Sequence, residues 1–408
     1  MYTLLKNKSA GLGTELVSFA QDLVRQNSVS LDEDAAAGLV EKRMNAVGFD
    51  KVFRDDAGNV AGLILGRESE PVILLNSHLD TVSPAKGKTA DAPEAGSIEK
   101  GRLYGLGAAD CKGGLAAQIY AGALLKRSLL PLRGHLVVAA TVAEENGCSV
   151  GVRTLIEKTL PEMGLKPNFA ILGEPTGLGL YYGHDGWMEM DILIEGANPF
   201  HVDDAAMAIF NDFGKRGGIS SGENRLETMS IRQPSFEKAE GCHRATIPMT
   251  RRLLPDEDEG GVLKEVQHEA GLVAQSSGMV AVEVMVREEK QRMCNGRTTV
   301  VKHLTNAWET DPFHPLLARA RQSLAAAGCE AKPGKWRLGR LGMGTAGSVL
   351  VKEFGIPTIG YGPGLEEQAH RPGEWVEVAR MSEAVYGTAA IVHGLIGVPV
   401  CGWTTDEI

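Results

Sequence analysis

The most chemically suggestive part of the sequence is a predicted buried strand that ends in a histidine and an aspartate. Residues 72–82 read VILLNSHLDTV, in which an apolar run stops at Ser77 and is followed by His78 and Asp80. Successive side chains of a strand point to opposite faces, so His78 and Asp80 share a face if the extended conformation continues. This geometry suits an imidazole that binds a metal ion while a carboxylate holds its second ring nitrogen. The alternative is an ordinary strand end followed by loop residues.

Other apolar segments of the chain also end in groups that can bind a metal ion. They are GRLYGLGAAD, which ends at Asp110; HLVVAATVA, followed by Glu144 and Glu145; FAILG, followed by Glu174; and IPTIGYGPG, which leads to His370. Ligand sites of open α/β sheets lie beyond the carboxyl ends of the strands, so we expect these side chains to converge.

Each of these groups also has a structural explanation of its own. Asp110 is suited to cap the helix that follows it. Glu144 and Glu145 are compatible with a solvated pair between a strand and a helix, and Glu174 with a turn before Pro175. Taken together, however, several carboxylates at successive strand ends would repel one another strongly unless a cation were bound among them. The set as a whole therefore favours a metal site.

The predicted elements around these residues form an alternating series of strands and helices. Apolar residues at helical spacing predict two amphipathic helices, over residues 16–24 and 36–47. VFRDDAGNVAGLIL then predicts a hairpin. The nearly all-apolar strands VILLN, HLVVAATV and FAILG alternate with the predicted helices GGLAAQIYAGALLK and SVGVRTLIEK. Such strands are typical of an α/β sheet that is covered on both faces.

The sequence pattern changes near Gly186. MEMDILIEG alternates apolar and polar residues, as a half-exposed strand does; RATIPMTRRLLP and MVAVEVMVREEK are further predicted strands, with DAAMAIFNDF and GGVLKEVQHEAG as helices. This order indicates a small open-faced sandwich inserted into the main domain. The α/β pattern resumes with HPLLARARQSLAAAG, IPTIGY and ARMSEAVYGTAAIVHGLIG. We therefore predict a main domain in two parts, 1–186 and 305–408, and an inserted domain at 187–304.

Composition and charge exclude several classes of protein. The chain has 408 residues, of which 43% are hydrophobic and 23% charged, and its formal net charge is -10. Because it has no basic stripe, nucleic acid is not an expected partner. No apolar stretch approaches the length of a membrane span, and the start MYTLLKNKSAGLG lacks the pattern of a signal peptide, so we expect a soluble cytoplasmic protein. Six cysteines without C-x-x-C spacing are typical of reduced thiols.

Five ordered motifs connect the sequence to a known family. SHLDTV, GRLYGLGAADCKGGLAA, AEENG, LGEPT, and IGYGPG with AHRPGEWV resemble the metal-dependent family of acetylornithine deacetylase, succinyl-diaminopimelate desuccinylase, aminoacylase and glutamate carboxypeptidase. The resemblance covers the main domain nearly end to end. It implies a phosphorylase/hydrolase-like catalytic domain, with a mixed and largely parallel sheet between helices. It further implies that the inserted α+β open-faced sandwich is a lid and dimerisation domain.

The resemblance implies a centre for two divalent metal ions in each subunit. The implied ligands are His78, Asp110 and Glu174 for one ion, and Asp110, Glu145 and His370 for the other. Asp80 would orient His78, and Glu144 would be the general base that takes a proton from the water attacking a carbonyl carbon. A carboxylate-rich set with one imidazole per ion suits zinc, cobalt or manganese.

A histidine of the inserted domain is also expected to be catalytic. His201 lies in ILIEGANPFHVDDAAMAIF, between a predicted strand and a predicted helix, where relatives carry a histidine that stabilises the developing oxyanion. In several relatives this histidine comes from the partner subunit, through lid domains paired edge to edge. A half-exposed lid strand leaves an edge that a two-fold homodimer would cover. The alternative is a surface histidine beside Asp203 and Asp204.

The residues expected around the substrate depart from the family pattern. Arg251 and Arg252 on the lid strand are expected to bind a substrate carboxylate, and Gly344 and Thr345 to contact the substrate. The departures are Leu106 in place of an arginine, Asp185 in place of a basic residue, Thr250 in place of an aspartate, Thr345–Ala346 in place of a Thr–Asp pair, and an atypical loop over residues 83–99. The metal site is kept while the surroundings of the substrate differ, so the familiar substrates of the family are not assumed.

The sequence therefore predicts a dinuclear metal-dependent hydrolase that cleaves an amide-type C–N bond, as a deacylase does, in a small carboxylate-bearing substrate. A dipeptidase or carboxypeptidase of the same family is one alternative, and a hydrolytic deaminase of an unusual amine is another. A third alternative is a catalytically inactive metal-binding or regulatory protein on this scaffold. Glu144 argues against it, because an inactive relative has little need for a base beside an intact set of ligands.

Overall fold

The computed structural model describes residues 1–83, 93–146, 148–216, 230–239, 241–293, 296–329, 332–333, 340–341 and 343–398. The chain forms two compact units. The first contains Met1–His184, Arg292–Thr299 and Glu309–Ile408, and the second contains Asp185–Gln291 and Val300–Trp308. The second unit is thus an insertion in the first. The predicted bounds of the inserted domain, 187–304, stay a prediction. Within that range residues 292–299 belong to the first unit, where Met293 is part of the hydrophobic core.

Helices contribute to both units. The α-helices of the described residues are α1 (Tyr2–Ala10), α2 (Gly13–Arg25), α3 (Asp34–Val47), α4 (Gly113–Arg127), α5 (Val150–Thr154), α6 (Leu160–Glu162), α7 (Pro199–Arg216), α8 (Glu259–Ala274), α9 (Pro315–Ala326) and α10 (Val378–Ile396). Short helical segments of different pitch cover Ala108–Lys112, Leu155–Thr159, Gln275–Ser277, Ser348–Glu353 and Glu366–Gln368. No helix in the described part of the chain has the length and apolar character that crossing a membrane requires.

Many of the strands are short. Those of the described residues are β1 (Lys51–Arg54), β2 (Val60–Ile64), β3 (Val72–His78), β4 (Ile98–Glu99), β5 (Arg102–Tyr104), β6 (His135–Thr141), β7 (Pro167–Leu172), β8 (Gly179–Leu180), β9 (Gly183–His184), β10 (Gly186–Gly196), β11 (Ser230–Ile231), β12 (Ser235–Ala239), β13 (Cys242–Leu253), β14 (Ala281–Val286), β15 (Glu288–Arg292), β16 (Thr298–Lys302), β17 (Leu304–Thr305), β18 (Trp308–Glu309), β19 (Lys332–Pro333), β20 (Arg340–Leu341), β21 (Thr358–Gly360) and β22 (Trp375–Glu377).

A mixed six-stranded sheet lies at the centre of the first unit. Its strand order is β1-β2-β6-β3-β7-β21. The pairs from β1 to β6 are antiparallel, and the pairs from β6 to β21 are parallel. Every residue of β2 and β3 is buried, and α4 packs against β3 and β6. The predicted α/β class with a mixed, largely parallel sheet is therefore confirmed.

The predicted hairpin joins β1 to β2, which pair antiparallel. In its turn, Asp55 Oδ1 accepts hydrogen bonds from the N–H groups of Ala57, Gly58 and Asn59 at 2.9, 3.1 and 3.0 Å. Gly58 has a φ of 103°, a conformation that glycine adopts without steric cost. One carboxylate and one glycine therefore fix this turn, and they place Asn59 next to the strand that leads to the site.

The parallel strands bring the predicted site residues to one edge of the sheet. β3 ends at His78, while β6 and β7 end shortly before Glu144 and Glu174. β21 runs parallel to β7, and the chain that leaves it continues to His370. Because the carboxyl ends of parallel strands lie at the same edge, the segments that follow these four strands meet there.

The second unit is an antiparallel sheet covered by two helices. β10 lies between β13 and β14, and β11 and β12 also pair with β13. Along β10, Met190 and Ile192 are buried while their neighbours in the strand are partly exposed. Phe213 of α7 and Val266 of α8 pack in the same apolar cluster as these two residues. The unit is therefore an open-faced α+β sandwich, as predicted.

Candidate metal centre

The five predicted metal ligands lie together in the first unit. Their ligand atoms form two groups, and within each group the atoms lie within 4.8 Å of one another. The groups are His78, Asp110, Cys111 and Glu174, and Asp110, Glu145 and His370. Asp110 belongs to both groups, so the geometry allows one aspartate to serve two ions.

The two histidines present their Nε2 atoms to the carboxylates. His78 Nδ1 lies 2.9 Å from the main-chain oxygen of Asp80, and His78 Nε2 lies 3.3 Å from Asp110 Oδ1. His370 Nε2 lies 2.8 Å from Glu145 Oε1 and 3.2 Å from Asp110 Oδ2. The carbonyl oxygen accepts the Nδ1 proton of His78, so Nε2 is the ring nitrogen that would bind a cation.

Burial disfavours the charged forms of the carboxylates at this site and so raises their pKa values. It raises the pKa of Glu144 to about 8, raises the pKa of Glu145, and raises that of Glu174 well above its usual range. Burial acts in the same direction on Asp110, but hydrogen bonds from the two histidines prevail and lower its pKa. A divalent cation would make the charged forms of these carboxylates favourable, because its two positive charges offset the charges of two of them. The donor set, rich in carboxylates and with one imidazole in each group, therefore fits two divalent ions.

Cys111 is a further side chain of the first group. Burial raises the pKa of its thiol to about 12. Its Sγ accepts a hydrogen bond from the backbone N–H of His78 at 3.2 Å. Cys111 therefore belongs to the first group of possible ligands and also forms a hydrogen bond with the last residue of β3.

Glu144 and Glu145 lie in a turn whose backbone is held by side chains. The N–H groups of five consecutive residues, 142–146, each donate to a side-chain oxygen. The acceptors are Asn59 Oδ1 for Val142 (3.0 Å), Glu33 Oε1 for Ala143 (2.9 Å), Asp80 Oδ1 for Glu144 (3.0 Å), Asp80 Oδ2 for Glu145 (2.9 Å) and Ser30 Oγ for Asn146 (3.2 Å). Four side chains therefore accept the backbone hydrogen bonds that regular secondary structure would otherwise accept in this turn.

Asp80 contacts both His78 and this turn, through different atoms. The imidazole Nδ1 of His78 is closer to the main-chain oxygen of Asp80, at 2.9 Å, than to its carboxylate Oδ1, at 3.6 Å. The carboxylate accepts hydrogen bonds from the backbone of Glu144 and Glu145 and from Ser30 Oγ, the last at 2.6 Å. Asp80 thus links a predicted metal ligand on β3 to the segment that carries the expected base.

Glu374 holds the loop that carries Asp110. Its Oε2 accepts a hydrogen bond from the N–H of Gly107 at 2.9 Å, and its Oε1 accepts from Ala109 at 2.7 Å and from Asp110 at 2.9 Å. The side chain is buried. A second carboxylate outside the ligand groups therefore fixes a second site loop through its backbone.

The sequence prediction missed several residues that support the site. They are Ser30, Glu33, Asn59, Ser149 and Glu374. Ser149 Oγ donates a hydrogen bond to Glu144 Oε1 at 3.2 Å. None of the five ends an apolar strand, the feature that points to most of the predicted ligands. The one available signal was the motif AHRPGEWV, in which Glu374 follows His370.

Three of the predicted site residues belong to the second unit. Arg251 is buried, and its Nη2 lies 2.8 Å from Glu257 Oε1. Arg252 Nη1 lies 3.7 Å from Asp185 Oδ2. His201 is partly exposed near the start of α7. The roles predicted for these residues stay predictions.

Gly344 and Thr345 belong to the first unit, before the helical segment that leads to β21. Thr345 is buried, and its N–H donates a hydrogen bond to His184 Nε2 at 2.8 Å. Their contact with a substrate stays a prediction. Among the cysteines, Cys111, Cys148, Cys242 and Cys329 form no disulfide. Cys294, Cys401 and residues 84–92 of the atypical loop lie outside the described residues.

Comparison with known proteins gives matches along most of the chain. Residues 74–394 match the family described as Peptidase family M20/M25/M40. The chain is 27% identical over 390 residues to the Escherichia coli protein named Uncharacterized protein YgeY, which covers 91% of this chain and 92% of that protein. It is 31% identical over 236 residues to the succinyl-diaminopimelate desuccinylase of Gluconacetobacter diazotrophicus, which covers 53% of this chain and 60% of that enzyme.

A solved structure shares the fold over nearly the whole chain. It is the Bacillus subtilis YXEP protein, described as a dinuclear metal binding peptidase from the M20 family. The TM-score is 0.70 at 16% sequence identity, with 95% of this chain and 99% of that chain covered.

Proposed function

The chain belongs to peptidase family M20/M25/M40 and is a metal-dependent hydrolase of amide or peptide bonds; within that class we propose a deacylase that uses two divalent ions. The proposed substrate is a small molecule that bears a carboxylate and an amide-type C–N bond. Zinc, manganese or cobalt is the proposed metal, because the donor set combines carboxylates with imidazoles.

One observation carries this proposal above the others. Two groups of potential ligands share Asp110, and Glu144 lies in the turn next to one of them without belonging to either group. A set of ligands accounts for metal binding alone. An adjacent carboxylate that is not a ligand accounts for proton transfer as well.

When bound, two divalent cations supply Lewis acidity, which lowers the pKa of a water molecule and stabilises the oxyanion formed from the substrate carbonyl. Glu144 takes the proton of the attacking water and passes it to the leaving nitrogen. Burial raises the pKa of Glu144 to about 8, which suits a group that must both accept and donate a proton near neutrality. Ser149 bonds Glu144 Oε1, so Oε2 is the oxygen proposed to carry the proton.

The proposed substrate carboxylate would be bound by Arg251 or Arg252, because a guanidinium fork matches a carboxylate. The name of the Gluconacetobacter diazotrophicus relative, a desuccinylase, supports an acyl group on nitrogen as the part removed. Gly344 and Thr345 are proposed to line the same substrate site. Leu106 and Asp185, which replace basic residues common in the family, leave the acyl group and the amine unassigned.

Two other activities of the same site have support of their own. A dipeptidase or carboxypeptidase is supported by the Bacillus subtilis structure, which is described as that of a peptidase. A hydrolytic deaminase of an unusual amine is supported by the altered residues around the substrate. Both would use Glu144 and the same two ligand groups, so the substrate alone separates them from the deacylase.

We further infer a homodimer formed through the second unit, with a cytoplasmic location. Strand β14 lies at one end of the strand order of its sheet, and a two-fold partner would cover such an edge. In that dimer His201 is proposed to stabilise the oxyanion, from the same subunit or from the partner. The thiol state of Cys111, Cys242 and Cys329 supports the cytoplasmic location.

The test is a panel of N-acyl amino acids, dipeptides and aromatic amines, assayed after exhaustive chelation and again after addition of Mn²⁺, Co²⁺ or Zn²⁺. We expect no turnover in the chelated protein and recovery with at least one metal, with the highest kcat/KM on an N-acyl amino acid. Full activity in a demonstrably metal-free sample contradicts the mechanism. A preference for dipeptides selects the peptidase, and release of ammonia from an amine selects the deaminase.

A further inference from the structure

A buried glutamate outside the ligand groups contacts the turn that carries Glu144. Glu33 is fully buried, and its Oε1 accepts hydrogen bonds from Leu31 N–H at 2.8 Å and from Ala143 N–H at 2.9 Å. The second of these contacts joins residues that are 110 positions apart in the chain. It therefore connects the N-terminal part of the chain to the residue that precedes the expected base.

Ala143 has the backbone conformation that makes this contact important. Its φ is 52°, in the left-handed region, which a residue with a Cβ adopts at a cost. Such a conformation persists only where the surroundings fix it. The hydrogen bond from Ala143 N–H to Glu33 and the neighbouring bonds to Asn59 and Asp80 supply that fixation. The direction of the Glu144 side chain follows from the backbone of the residue before it.

A simpler role for Glu33 would be to cap the N-terminus of α3, but its contacts do not support that role. Glu33 is the residue that precedes α3, yet its side chain makes no capping hydrogen bond to that helix. The environment of its carboxylate disfavours a negative charge, because the group is buried close to the carboxylate of Asp80. Burying two carboxylates near each other costs free energy. The hydrogen bonds that Glu33 accepts from the backbone are therefore its evident structural role.

The rest of the N-terminal segment 28–33 makes related contacts. Ser28 Oγ donates to the main-chain oxygen of Leu79 at 2.8 Å, and Ser30 Oγ donates to Asp80 Oδ2 at 2.6 Å. Ser30 Oγ also accepts a hydrogen bond from the N–H of Asn146. The segment thus touches both the end of β3 and the turn after β6.

We propose that Glu33 is a positioning residue for hydrolysis, which acts by fixing Ala143 and so directs the carboxylate of Glu144 toward the reacting water. The proposal rests on the role of Glu144 as the base. Glu33 itself touches neither the ligand groups nor the substrate. The quantity it controls is therefore kcat, with little effect on KM.

Two conservative variants separate position from charge. Glu33→Gln keeps the Oε1 acceptor for Ala143 and places an amide beside Asp80, so we expect kcat within about threefold of the parent. Glu33→Asp keeps the charge but withdraws the oxygen by one methylene, so we expect kcat to fall by about tenfold or more with KM changed less than about twofold. Both are assayed at saturating metal, with bound metal measured by elemental analysis.

The matched control is Leu324→Ala, a core truncation in α9 that lowers the melting temperature without touching the site. We expect it to keep the kcat of the parent. In the Glu144→Gln background, Glu33→Asp should cause no further loss of kcat, because both changes act on one group. A folded, metal-loaded Glu33→Asp variant with the kcat of the parent overturns the proposal, as does an equal loss in Glu33→Asp and Glu33→Gln. Full activity of Glu144→Gln alone overturns the proposed base instead.

Discussion

The Oε1 atom of Glu374 accepts a hydrogen bond from the backbone N–H of Asp110 at 2.9 Å, across 264 positions of the chain. Asp110 is the residue shared by the two ligand groups. A residue near the C-terminal end of the described chain therefore holds the backbone of the predicted shared ligand.

Removal of the Glu374 carboxylate should weaken metal binding. In Glu374→Ala the N–H groups of Gly107, Ala109 and Asp110 lose their acceptor, so the loop can move the Asp110 carboxylate away from both groups. We expect metal affinity to fall by about 10- to 100-fold, as is typical when a residue that orients a metal ligand by hydrogen bonding is removed. Competition with a chromophoric chelator measures it. The control is Glu377→Ala, which removes only a partly exposed pair with Arg380 and should keep the parent affinity.

Replacement of Glu144 should lower kcat, whereas replacement of Asp110 should lower the amount of bound metal. Glu144→Gln keeps the shape but removes the proton acceptor, so we expect both ions to remain bound and kcat to fall by about 10²-fold or more. Asp110→Ala removes a ligand common to both groups, so we expect bound metal to be lost. Elemental analysis of the two purified variants distinguishes these outcomes, and equal loss of metal in both contradicts the assignment.

Replacement of both Arg251 and Arg252 by lysine should raise KM. Lysine keeps the charge but cannot bind a carboxylate through two parallel hydrogen bonds. We expect the KM of the best carboxylate-bearing substrate to rise by about fivefold or more, with kcat changed much less. An unchanged KM contradicts the role. Arg251→Lys alone should also lower stability by about 1 to 3 kcal/mol, since Glu257 would lose a close partner; urea denaturation measures this.

A mixing experiment tests whether His201 acts on the site of a partner subunit. His201→Ala and Glu144→Gln are each expected to be inactive. If His201 acts in trans, a mixture that exchanges subunits regains activity, because a mixed dimer has one site with an intact Glu144 and an intact His201. The assay is accompanied by a mass-tagged subunit that reports exchange. No recovery despite proven exchange, or a fully active monomer, rules out the trans arrangement.

His393 should make stability depend on pH. Burial lowers the pKa of His393 from 6.5 to about 4, so between these values the unfolded chain binds a proton that the folded chain does not. The free energy of unfolding therefore falls as the pH drops through this window, by about 3 kcal/mol in total. His393→Phe should remove this part of the slope, measured by urea denaturation at several pH values. His268→Gln, at an exposed position of α8, should keep it.

The sequence predicts four of the five candidate ligands because each follows an apolar strand of the central sheet, whereas Asp110 lies in the helical segment Ala108–Lys112. VILLN and FAILG are too apolar for an exposed segment, so the polar groups after them, His78 and Glu174, had to lie at a strand end. Parallel pairing then brings such ends together. The open-faced sandwich was predictable for a similar reason, since the alternation of MEMDILIEG gives one buried and one exposed face.

Three of the supporting residues, Ser30, Glu33 and Asn59, could not be predicted, because their contacts with the turn after β6 join distant parts of the chain. Glu33 lies in an ordinary polar stretch, and nothing local relates it to Ala143. Its burial is a property of the folded chain alone. The placement of residues 292–299 in the first unit has the same origin, since Met293 joins a core whose other members lie far away in the sequence.

The insertion of the second unit delays the point at which a growing chain contains all five predicted metal ligands. Glu174 precedes the insertion and His370 follows it, so roughly 200 residues must be synthesised between them, which takes roughly 10 to 40 s at typical ribosomal rates. During that interval the nascent chain contains the three predicted acidic ligands, Asp110, Glu145 and Glu174, without His370 or the loop-holding Glu374. A ribosome-bound chain that stops before residue 370 lacks one predicted ligand of the second group, so we expect it to be unable to hold two metal ions.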